Sequence, residues 1–353
     1  MRNKVSLYFF DRFKQNEAQI HELRYLFWEC TQRCNLNCLH CGSDCVSDSS
    51  YKDMPFSDFL SAILPLKNVY KPDSINVIIT GGEPLLRKDI GACGMALREN
   101  GFRWGIVTNG YAYNETIHKK LLASGMGSVT VSLDGLEENH NWLRGNNNSF
   151  SKAVRALELI SSSNRLNYDV VTCVNNRNIY QLNELKEFLI RKNIKAWRLF
   201  TIAPIGRAQH NGDMVLGTEQ LNFLMDFIAK SREEKNIDVK FSCEAYVGAY
   251  EKKVRPDYFF CRAGIHIASV LIDGSISACP NINRNYTQGN IYKDDFLKIW
   301  NQKFQIMRER SWTKKGICNS CKDYKHCNGG AMHLWDEKQE NILYCIHHQI
   351  TKA

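Results

Sequence analysis

The sequence of 353 residues contains no apolar run of the roughly 18 residues that a membrane-spanning helix requires. Its start, MRNKVSLYFFDRFKQNE, lacks the long apolar stretch and the small-residue cleavage site of a secretory signal. Long basic runs are also absent. The 46 basic residues exceed the 37 acidic ones, giving a net charge of +9, but the densest basic runs are lysine pairs at 119–120, 252–253 and 314–315. These absences argue against a membrane span, secretion and a nucleic-acid surface, and they predict a cytoplasmic protein.

Cysteine, in contrast, is abundant, with 14 residues. Five lie within residues 30–45 and seven lie between 243 and 345. Only Cys93 and Cys173 stand alone, and we expect these two to be small buried core residues. In a reducing compartment, metal ligation explains such clusters better than disulfides do.

Residues 23–236 alternate between strand-like and helix-like segments. The predicted strands are 23–31, 74–81, 102–110, 128–135, 168–175 and 196–204, and the predicted helices are 56–68, 88–100, 114–124, 150–163, 180–193 and 218–236. Six βα units in series indicate a parallel sheet with helical crossovers. The pattern alone leaves a doubly wound sheet and a partial barrel open. In either fold, chemistry collects where the strands end.

After residue 240 the long helices give way to short segments, turn residues and spaced cysteines. We therefore predict three parts: a lead-in at 1–22, an α/β domain at 23–236, and a smaller domain at 237–353 held together by metal.

The first cysteine cluster, CTQRCNLNCLHCGSDC at 30–45, directly follows the first predicted strand. Its one C-x3-C-x2-C trio is Cys34, Cys38 and Cys41, with Cys30 and Cys45 as predicted non-ligands. Three thiolates can hold three irons of a [4Fe–4S] cluster, which leaves the fourth iron open. A zinc knuckle is the alternative, but zinc prefers paired C-x2-C motifs and a closed shell of four ligands.

The segment CNLNCLHC resembles the signature of the radical S-adenosylmethionine (SAM) enzymes. Other segments match that family in order: GGEPLL at 81–86, VTNG at 107–110, VSLDG at 131–135, HNWLRG at 140–145 and PIGRA at 204–208. One departure is Asn141, which stands where the family's HDxxRG segment has aspartate. The resemblance covers nearly the whole chain and implies a partial (β/α)6 TIM-like barrel.

The resemblance also implies that SAM binds the open iron through its amino and carboxylate groups. The backbone of Gly81 and Gly82, with the Glu83 carboxylate, would receive the SAM amine, and Pro84 would fix the turn. The expected contacts to the rest of SAM are Ser132 and Asp134 to the ribose, Arg144 to the carboxylate, and Asn109 and Asn175 as weaker candidates.

The C-terminal cysteines resemble those of the SPASM extension, which typically carries two auxiliary [4Fe–4S] clusters. By that resemblance, the cluster farther from the barrel uses the C-x2-C-x5-C-x17-C set of Cys318, Cys321, Cys327 and Cys345. The nearer one would use Cys261, Cys279 and an upstream residue, for which Cys243 is the candidate. Its fourth cysteine is replaced by Ala331. The nearer site could therefore hold a cluster with three cysteine ligands, recruit His266 or His333 as the fourth ligand, or be vacant. For the whole C-terminal domain, a zinc ribbon is the alternative to iron–sulfur clusters.

The implied activity is reductive cleavage of SAM to methionine and a 5′-deoxyadenosyl radical, which abstracts hydrogen from a substrate. A reduced flavodoxin or ferredoxin would deliver the electron. The substrate class that SPASM-bearing relatives favour is a peptide or protein. The alternatives are an enzyme acting on a tetrapyrrole or another small molecule, and a non-catalytic iron–sulfur electron carrier. The sequence identifies no catalytic acid or base.

Overall fold

The structure, a computed structural model, describes residues 2–242, 244–336 and 338–351. In these residues one sheet contains ten strands. The strands are β1 Tyr25–Glu29, β2 Asn76–Thr80, β3 Arg103–Thr108, β4 Ser128–Ser132, β5 Asn167–Val174, β6 Ala196–Thr201, β7 Asp238–Phe241, β8 Ile267–Val270, β9 Ser275–Ser277 and β10 Gly289–Asn290.

The strand order is β10-β9-β8-β1-β2-β3-β4-β5-β6-β7. Strands β1 to β7 are parallel, and β8 pairs in parallel with β1, so that Tyr25 lies opposite Ile267. Strands β9 and β10 are antiparallel. The sheet is therefore the open, partial TIM-like barrel that the sequence predicted, and the C-terminal domain extends it beyond β1.

Helices connect the parallel strands and cover the sheet. They are α1 Arg2–Ile20, α2 Phe56–Ile63, α3 Ile90–Glu99, α4 Glu115–Ala123, α5 Glu137–Arg144, α6 Ser149–Ser161, α7 Leu182–Arg191, α8 Thr218–Glu234, α9 Phe296–Gln302, α10 Gln305–Arg308, α11 Tyr324–Cys327 and α12 Ile346–Thr351. The six predicted strands and six predicted helices are all confirmed, most with shorter bounds and two, β5 and α6, beginning one residue earlier than predicted. Helix α1 was not predicted, nor were the strands β7 and β8 that extend the sheet on both sides. No helix in the described ranges has the length and apolarity needed to cross a membrane.

Burial explains why these segments form strands and helices. Strand β2 alternates half-buried and buried positions along NVIIT, as a strand with unequal faces does. Trp28 of β1 is fully buried and stacks on Phe59 of α2, with ring centroids 4.7 Å apart. Because strands β1 to β7 are parallel, the loops after them meet at one edge of the sheet, and this edge carries the predicted motifs.

Candidate active site and auxiliary metal site

The loop between β1 and α2 presents three thiols to one cavity of about 790 Å³. Cys34, Cys38 and Cys41 all line this cavity. The amide of Cys34 donates to the carbonyl of Val46 (2.9 Å), and the Arg207 guanidinium donates to the carbonyl of Cys38 (2.8 Å). These bonds fix the loop, which has no regular structure of its own.

The thiols of the loop have different acidities. Burial raises the pKa of Cys34 to about 11. A hydrogen bond with the Cys45 thiol lowers the pKa of Cys41. Cys45, a predicted non-ligand, also lines the cavity, whereas Cys30 is fully buried and does not. Deprotonated thiols are the form that binds metal, so a bound cluster would favour the thiolate form of all three cysteines.

Two glycines after β2 allow a close backbone crossing. A Cβ on Gly81, whose φ is +150°, would lie 2.2 Å from the carbonyl oxygen of Thr31. A Cβ on Gly82 would lie 2.3 Å from the carbonyl oxygen of Arg33. Only glycine fits such a contact. Both glycines line the cavity, so their backbone groups face the space beside the three thiols.

Glu83 does not reach this space, which differs from the expected contact with the SAM amine. Its carboxylate is fully buried and accepts bonds from the Leu85 amide (3.1 Å), the Thr108 hydroxyl (2.7 Å) and the Asn109 amide (2.8 Å). Burial raises the pKa of Glu83 to about 7, although these three donors act in the opposite direction. Glu83 therefore ties the end of β2 to the end of β3, and the buried Pro84 begins the turn that follows.

The ends of β3 and β4 contribute polar side chains to the cavity. Asn109 and Ser132 both line it. The Asn109 amide nitrogen donates to the Asn35 side chain (2.9 Å) and lies 3.8 Å from the Cys34 sulfur. Asn175, the other weak candidate, is buried, and its backbone N–H donates to the Asn178 side chain (2.8 Å); it does not line the cavity.

Asp134 and Arg144 form a buried ion pair beneath the cysteine loop. Two guanidinium nitrogens of Arg144 lie 2.6 Å from one Asp134 oxygen, and the Cys173 amide donates to the other (2.8 Å). Burial alone would raise the pKa of Asp134, but Arg144 holds it below its usual value. Both oxygens of Asp134 are thus engaged by the protein and Asp134 does not line the cavity, which differs from the position that a ribose contact requires; that contact stays a prediction.

Arg144 itself does line the cavity, as its expected role requires. Its third guanidinium nitrogen lies 3.6 Å from the Cys38 sulfur. Burial raises the pKa of Cys38, and Arg144 opposes that effect. Arg207, from the PIGRA segment, was given no role from sequence, yet it donates to backbone carbonyls of Cys38 and Cys45 (2.8 and 3.0 Å). The position of that segment after β6 was the available signal.

The spacing of the sulfurs distinguishes a cluster from a zinc ion. Two sulfurs bound to one zinc are at most about 4.6 Å apart, because each Zn–S bond is about 2.3 Å. In residues 2–242, 244–336 and 338–351, the only three potential ligand atoms within 4.8 Å of one another belong to His40, Asp134 and Cys173. No three cysteine sulfurs meet that limit, so neither cysteine set is arranged around a single ion. Arg144 already neutralises Asp134, which disfavours a cation there as well.

A second cavity, of about 300 Å³, is lined by all four cysteines of the predicted farther cluster, namely Cys318, Cys321, Cys327 and Cys345. The chain turns sharply beside it, with Asn328, Gly329 and Gly330 all at positive φ. A Cβ on Gly329 would lie 2.5 Å from the Thr313 hydroxyl, so glycine is needed there. Four thiols around one cavity form the donor set of a [4Fe–4S] cluster.

The residues assigned to the nearer cluster are not gathered around either of these cavities. Cys261 lines a third cavity, of about 270 Å³, whose wall does not include Cys279. Ala331 is buried in the hydrophobic core, and Cys243 lies outside the described residues. His266 is paired with Glu17, whereas His333 lines the first cavity. The nearer cluster therefore stays a prediction.

A thin wall that the sequence did not predict separates the first two cavities. Residues 333–335 and 342–344 form it, joined by an antiparallel bridge between Trp335 and Ile342. Successive side chains alternate: His333, Trp335 and Leu343 line the first cavity, while Leu334, Ile342 and Tyr344 line the second. The Trp335 indole N–H donates to the Gly329 carbonyl (2.7 Å) beside the four cysteines.

Comparison with known proteins agrees with this geometry. Residues 28–189 match the family model of the Radical SAM superfamily, and residues 261–322 match that of SPASM, an iron–sulfur cluster-binding domain. The chain is 25% identical over 350 residues to the AdoMet-dependent heme synthase of Methanosarcina barkeri, covering 94% of this chain and 98% of that protein. It is 28% identical over 317 residues to the mycofactocin maturase MftC of Mycolicibacterium smegmatis, covering 87% and 77%.

Solved structures share the fold. Native anSMEcpe with bound AdoMet superimposes with a TM-score of 0.72 at 21% identity, covering 94% of this chain and 95% of that chain. Streptococcus suis SuiB bound to the precursor peptide SuiA superimposes with a TM-score of 0.67 at 18% identity, covering 90% and 75%.

Proposed function

This chain is an enzyme of the radical SAM superfamily with a SPASM domain, and we propose that it oxidises a peptide or protein at an unactivated C–H bond. Its cofactors are a [4Fe–4S] cluster, SAM and auxiliary iron–sulfur; the cluster and SAM supply the electron and the 5′-deoxyadenosyl radical when bound. One observation carries the proposal. The C-x3-C-x2-C thiols and the Gly81–Gly82 backbone line one cavity, and a four-thiol cavity lies directly behind its wall.

The chain's residues hold and orient the reactants in this proposal. Cys34, Cys38 and Cys41 hold the cluster and leave one iron to SAM. The backbone of Gly81 and Gly82 receives the SAM amine, because no side chain blocks the approach. Arg144, fixed by Asp134, offers its charge to the SAM carboxylate.

The size of the cavity supports a substrate that inserts only a side chain. Pockets of about 300–1,000 Å³ suit one drug-sized ligand. The first cavity, at about 790 Å³, must accommodate SAM and the cluster before any substrate enters. The remaining space suits a side chain inserted from solvent better than a complete macrocycle.

The charges of the wall support the same substrate class. The part of the wall that the structure describes contains three arginines and no lysine. Arg144 is paired with Asp134, Arg207 lies 3.7 Å from Asp44, and Arg284 contacts Glu29 (3.0 Å). With Arg144 assigned to the SAM carboxylate and the other two arginines facing carboxylates of the protein, no arginine of this described wall is left for the several carboxylates of a tetrapyrrole. Neutral amides such as Gln209, Asn281 and Asn283 line the wall instead, and amides bond peptide groups well.

A second candidate is a tetrapyrrole-modifying reaction. It is favoured by the match to the M. barkeri heme synthase, which extends over 94% of this chain. The third possibility, a non-catalytic electron carrier, is disfavoured because the named relatives are enzymes. We further propose flavodoxin or ferredoxin as the reductant and the cytoplasm as the location, since thiolate-bound iron requires reducing conditions.

The test is anaerobic reconstitution followed by incubation with SAM and dithionite. The parent protein is expected to form 5′-deoxyadenosine. The variant with Cys34→Ala, Cys38→Ala and Cys41→Ala is expected to form none, while Cys93→Ala, which changes a core cysteine elsewhere, keeps the parent rate. Deuterated peptides and a deuterated iron porphyrin then compete as substrates. Transfer of deuterium to 5′-deoxyadenosine from the porphyrin alone would overturn the peptide proposal, and absence of 5′-deoxyadenosine would overturn the enzyme assignment.

A further inference from the structure

The segment that carries most of the second cavity's cysteines has an unusual surface. We name residues 314–327 the cluster loop; it contains Cys318, Cys321 and Cys327. Lys314, Lys322 and Lys325 are exposed in it and Lys315 is half-exposed. Four of the 14 residues in this segment are therefore lysines, and one of them, Lys322, lines the cavity of the four cysteines.

The opposing charge on this loop is small. Its one acidic residue, Asp323, is held by the His347 ring (3.1 Å). Two of the lysines lie near aromatic rings, Lys314 at 6.0 Å from the Tyr324 centroid and Lys315 at 5.7 Å from that of Trp312. These lysines have no carboxylate partner among the ion pairs of the described residues, so the loop presents a positive field to solvent.

An apolar side chain lies within this basic surface. Ile317 is 45% exposed although it lies next to the buried Cys318. Ile317 and Lys322 both line the second cavity, so the cavity and the exposed surface share the same residues. A small apolar centre within a charged rim is typical of weak, transient protein contacts, including those between electron-transfer proteins.

The cluster loop is close to both the four cysteines and the solvent, which suits the transfer of an electron out of the protein. The wall of residues 333–335 and 342–344 lies between the substrate cavity and the four cysteines, and the cluster loop carries three of those cysteines together with lysines that are exposed to solvent. Oxidation of a C–H bond by a hydrogen-abstracting radical leaves a substrate radical with one electron to lose. In the proposed path, an external one-electron acceptor takes that electron before the next turnover.

We propose that the cluster loop is the docking surface for a small acidic one-electron carrier of the flavodoxin or ferredoxin class. This inference rests on the proposed function. In the balanced step, the substrate C–H bond gives its hydrogen atom to the 5′-deoxyadenosyl radical, and the substrate radical then releases one proton and one electron. The oxidised carrier accepts that electron at the loop and is reduced by one electron.

Charge reversal tests the docking surface with a purified flavodoxin as the probe. The variant Lys314→Glu, Lys322→Glu, Lys325→Glu of the reconstituted holoenzyme is expected to bind flavodoxin about tenfold more weakly at low ionic strength. The difference should shrink as salt is added, because exposed charges are screened. The matched control changes three exposed lysines on the barrel helices, Lys119→Glu, Lys152→Glu and Lys230→Glu, and is expected to stay within about twofold of the parent.

Two further measurements complete the test. Ile317→Ser is expected to weaken flavodoxin binding equally at low and high salt, since apolar contacts are not screened. It also provides a second, independent variant if the triple lysine variant loses iron. Basic cytochrome c is expected not to bind. Parent-like affinity in both loop variants, or equal weakening in the control, would overturn the proposal. SAM cleavage driven by dithionite should be unchanged in the double variant Lys314→Glu, Lys325→Glu, because neither lysine lines the second cavity, so a loss of docking is separable from a failure of the proposed function.

Discussion

The buried pair of Asp134 and Arg144 allows a quantitative test of how the active site is built. Their exposed fractions are 1% and 9%, and the carboxylate is 2.6 Å from two guanidinium nitrogens. In Asp134→Asn, one amide oxygen can still accept from the Cys173 amide, but the NH₂ group then faces the guanidinium. Removing one partner of a buried pair costs about 3–5 kcal/mol, because the other charge stays buried without compensation.

The assay is anaerobic urea denaturation of the apoprotein, followed by circular dichroism. With a dependence of about 3 kcal/mol per molar urea, Asp134→Asn is expected to lower the midpoint by about 1–1.7 M. The double variant Asp134→Asn, Arg144→Gln removes both charges and is expected to recover much of the loss. The control is Glu115→Gln, which breaks an exposed pair with Arg155 (3.7 Å; 64% and 57% exposed) and should cost less than about 1 kcal/mol. A cost for Asp134→Asn no larger than that of Glu115→Gln would refute the reasoning.

Four further predictions concern other residues. The contribution of Glu244 to the free energy of unfolding should fall as pH rises from about 4.5 to 7, because burial raises the pKa of Glu244 to about 7 in the folded state, so that this group binds more protons there than in the unfolded state. Glu244→Gln should flatten this fall in pH-dependent denaturation, and an unchanged slope contradicts it. Gly82→Ala should abolish SAM binding by calorimetry, since its Cβ would lie 2.3 Å from the Arg33 carbonyl oxygen, whereas Gly127→Ala, with its nearest atom at 3.8 Å, should not. Arg310→Met should lower the midpoint potential of the auxiliary cluster in a redox titration. The reason is that the buried Arg310 guanidinium, which has two nitrogens without a hydrogen-bond partner among the described residues, stabilises negative charge on Cys318 and Cys327. Arg310→Lys should restore part of the shift, and equal potentials in all three proteins would count against this prediction. Iron analysis should show a loss of about four irons when alanine replaces Cys34, Cys38 and Cys41, with the auxiliary iron retained; loss of all iron or of none is incompatible with the assignment.

The barrel strands and the cysteine loop were predictable because both are local in sequence. Each strand has its own apolar pattern, and Cys34, Cys38 and Cys41 lie on one short loop after β1. The directions of Glu83 and Asp134 were not predictable. Their motifs place them at strand ends, but the choice between facing the cavity and facing a neighbouring strand depends on donors from β3, α5 and β5 that are distant in sequence.

The same reason explains what was missed in the C-terminal part. The spacing of Cys318, Cys321, Cys327 and Cys345 predicted a shared site. It carried no information on the wall made by residues 333–335 and 342–344, because that wall depends on the pairing of Trp335 with Ile342. The pairing of β8 with β1 spans more than 230 residues and leaves no local signal in either segment.

That pairing joins the two predicted domains in one sheet. Strand β8 satisfies the outer edge of β1, and the β8–β9 turn places the Ile272 amide on the Glu29 carboxylate (2.9 Å). A barrel fragment ending at residue 236 would leave the N–H and C=O groups along Tyr25–Trp28 open to any other strand, which is the condition for edge-to-edge aggregation. The C-terminal, iron-binding part thus covers the edge of β1 that would otherwise be exposed. If that part were lost in evolution, a new edge strand or a partner protein would have to cover the same edge.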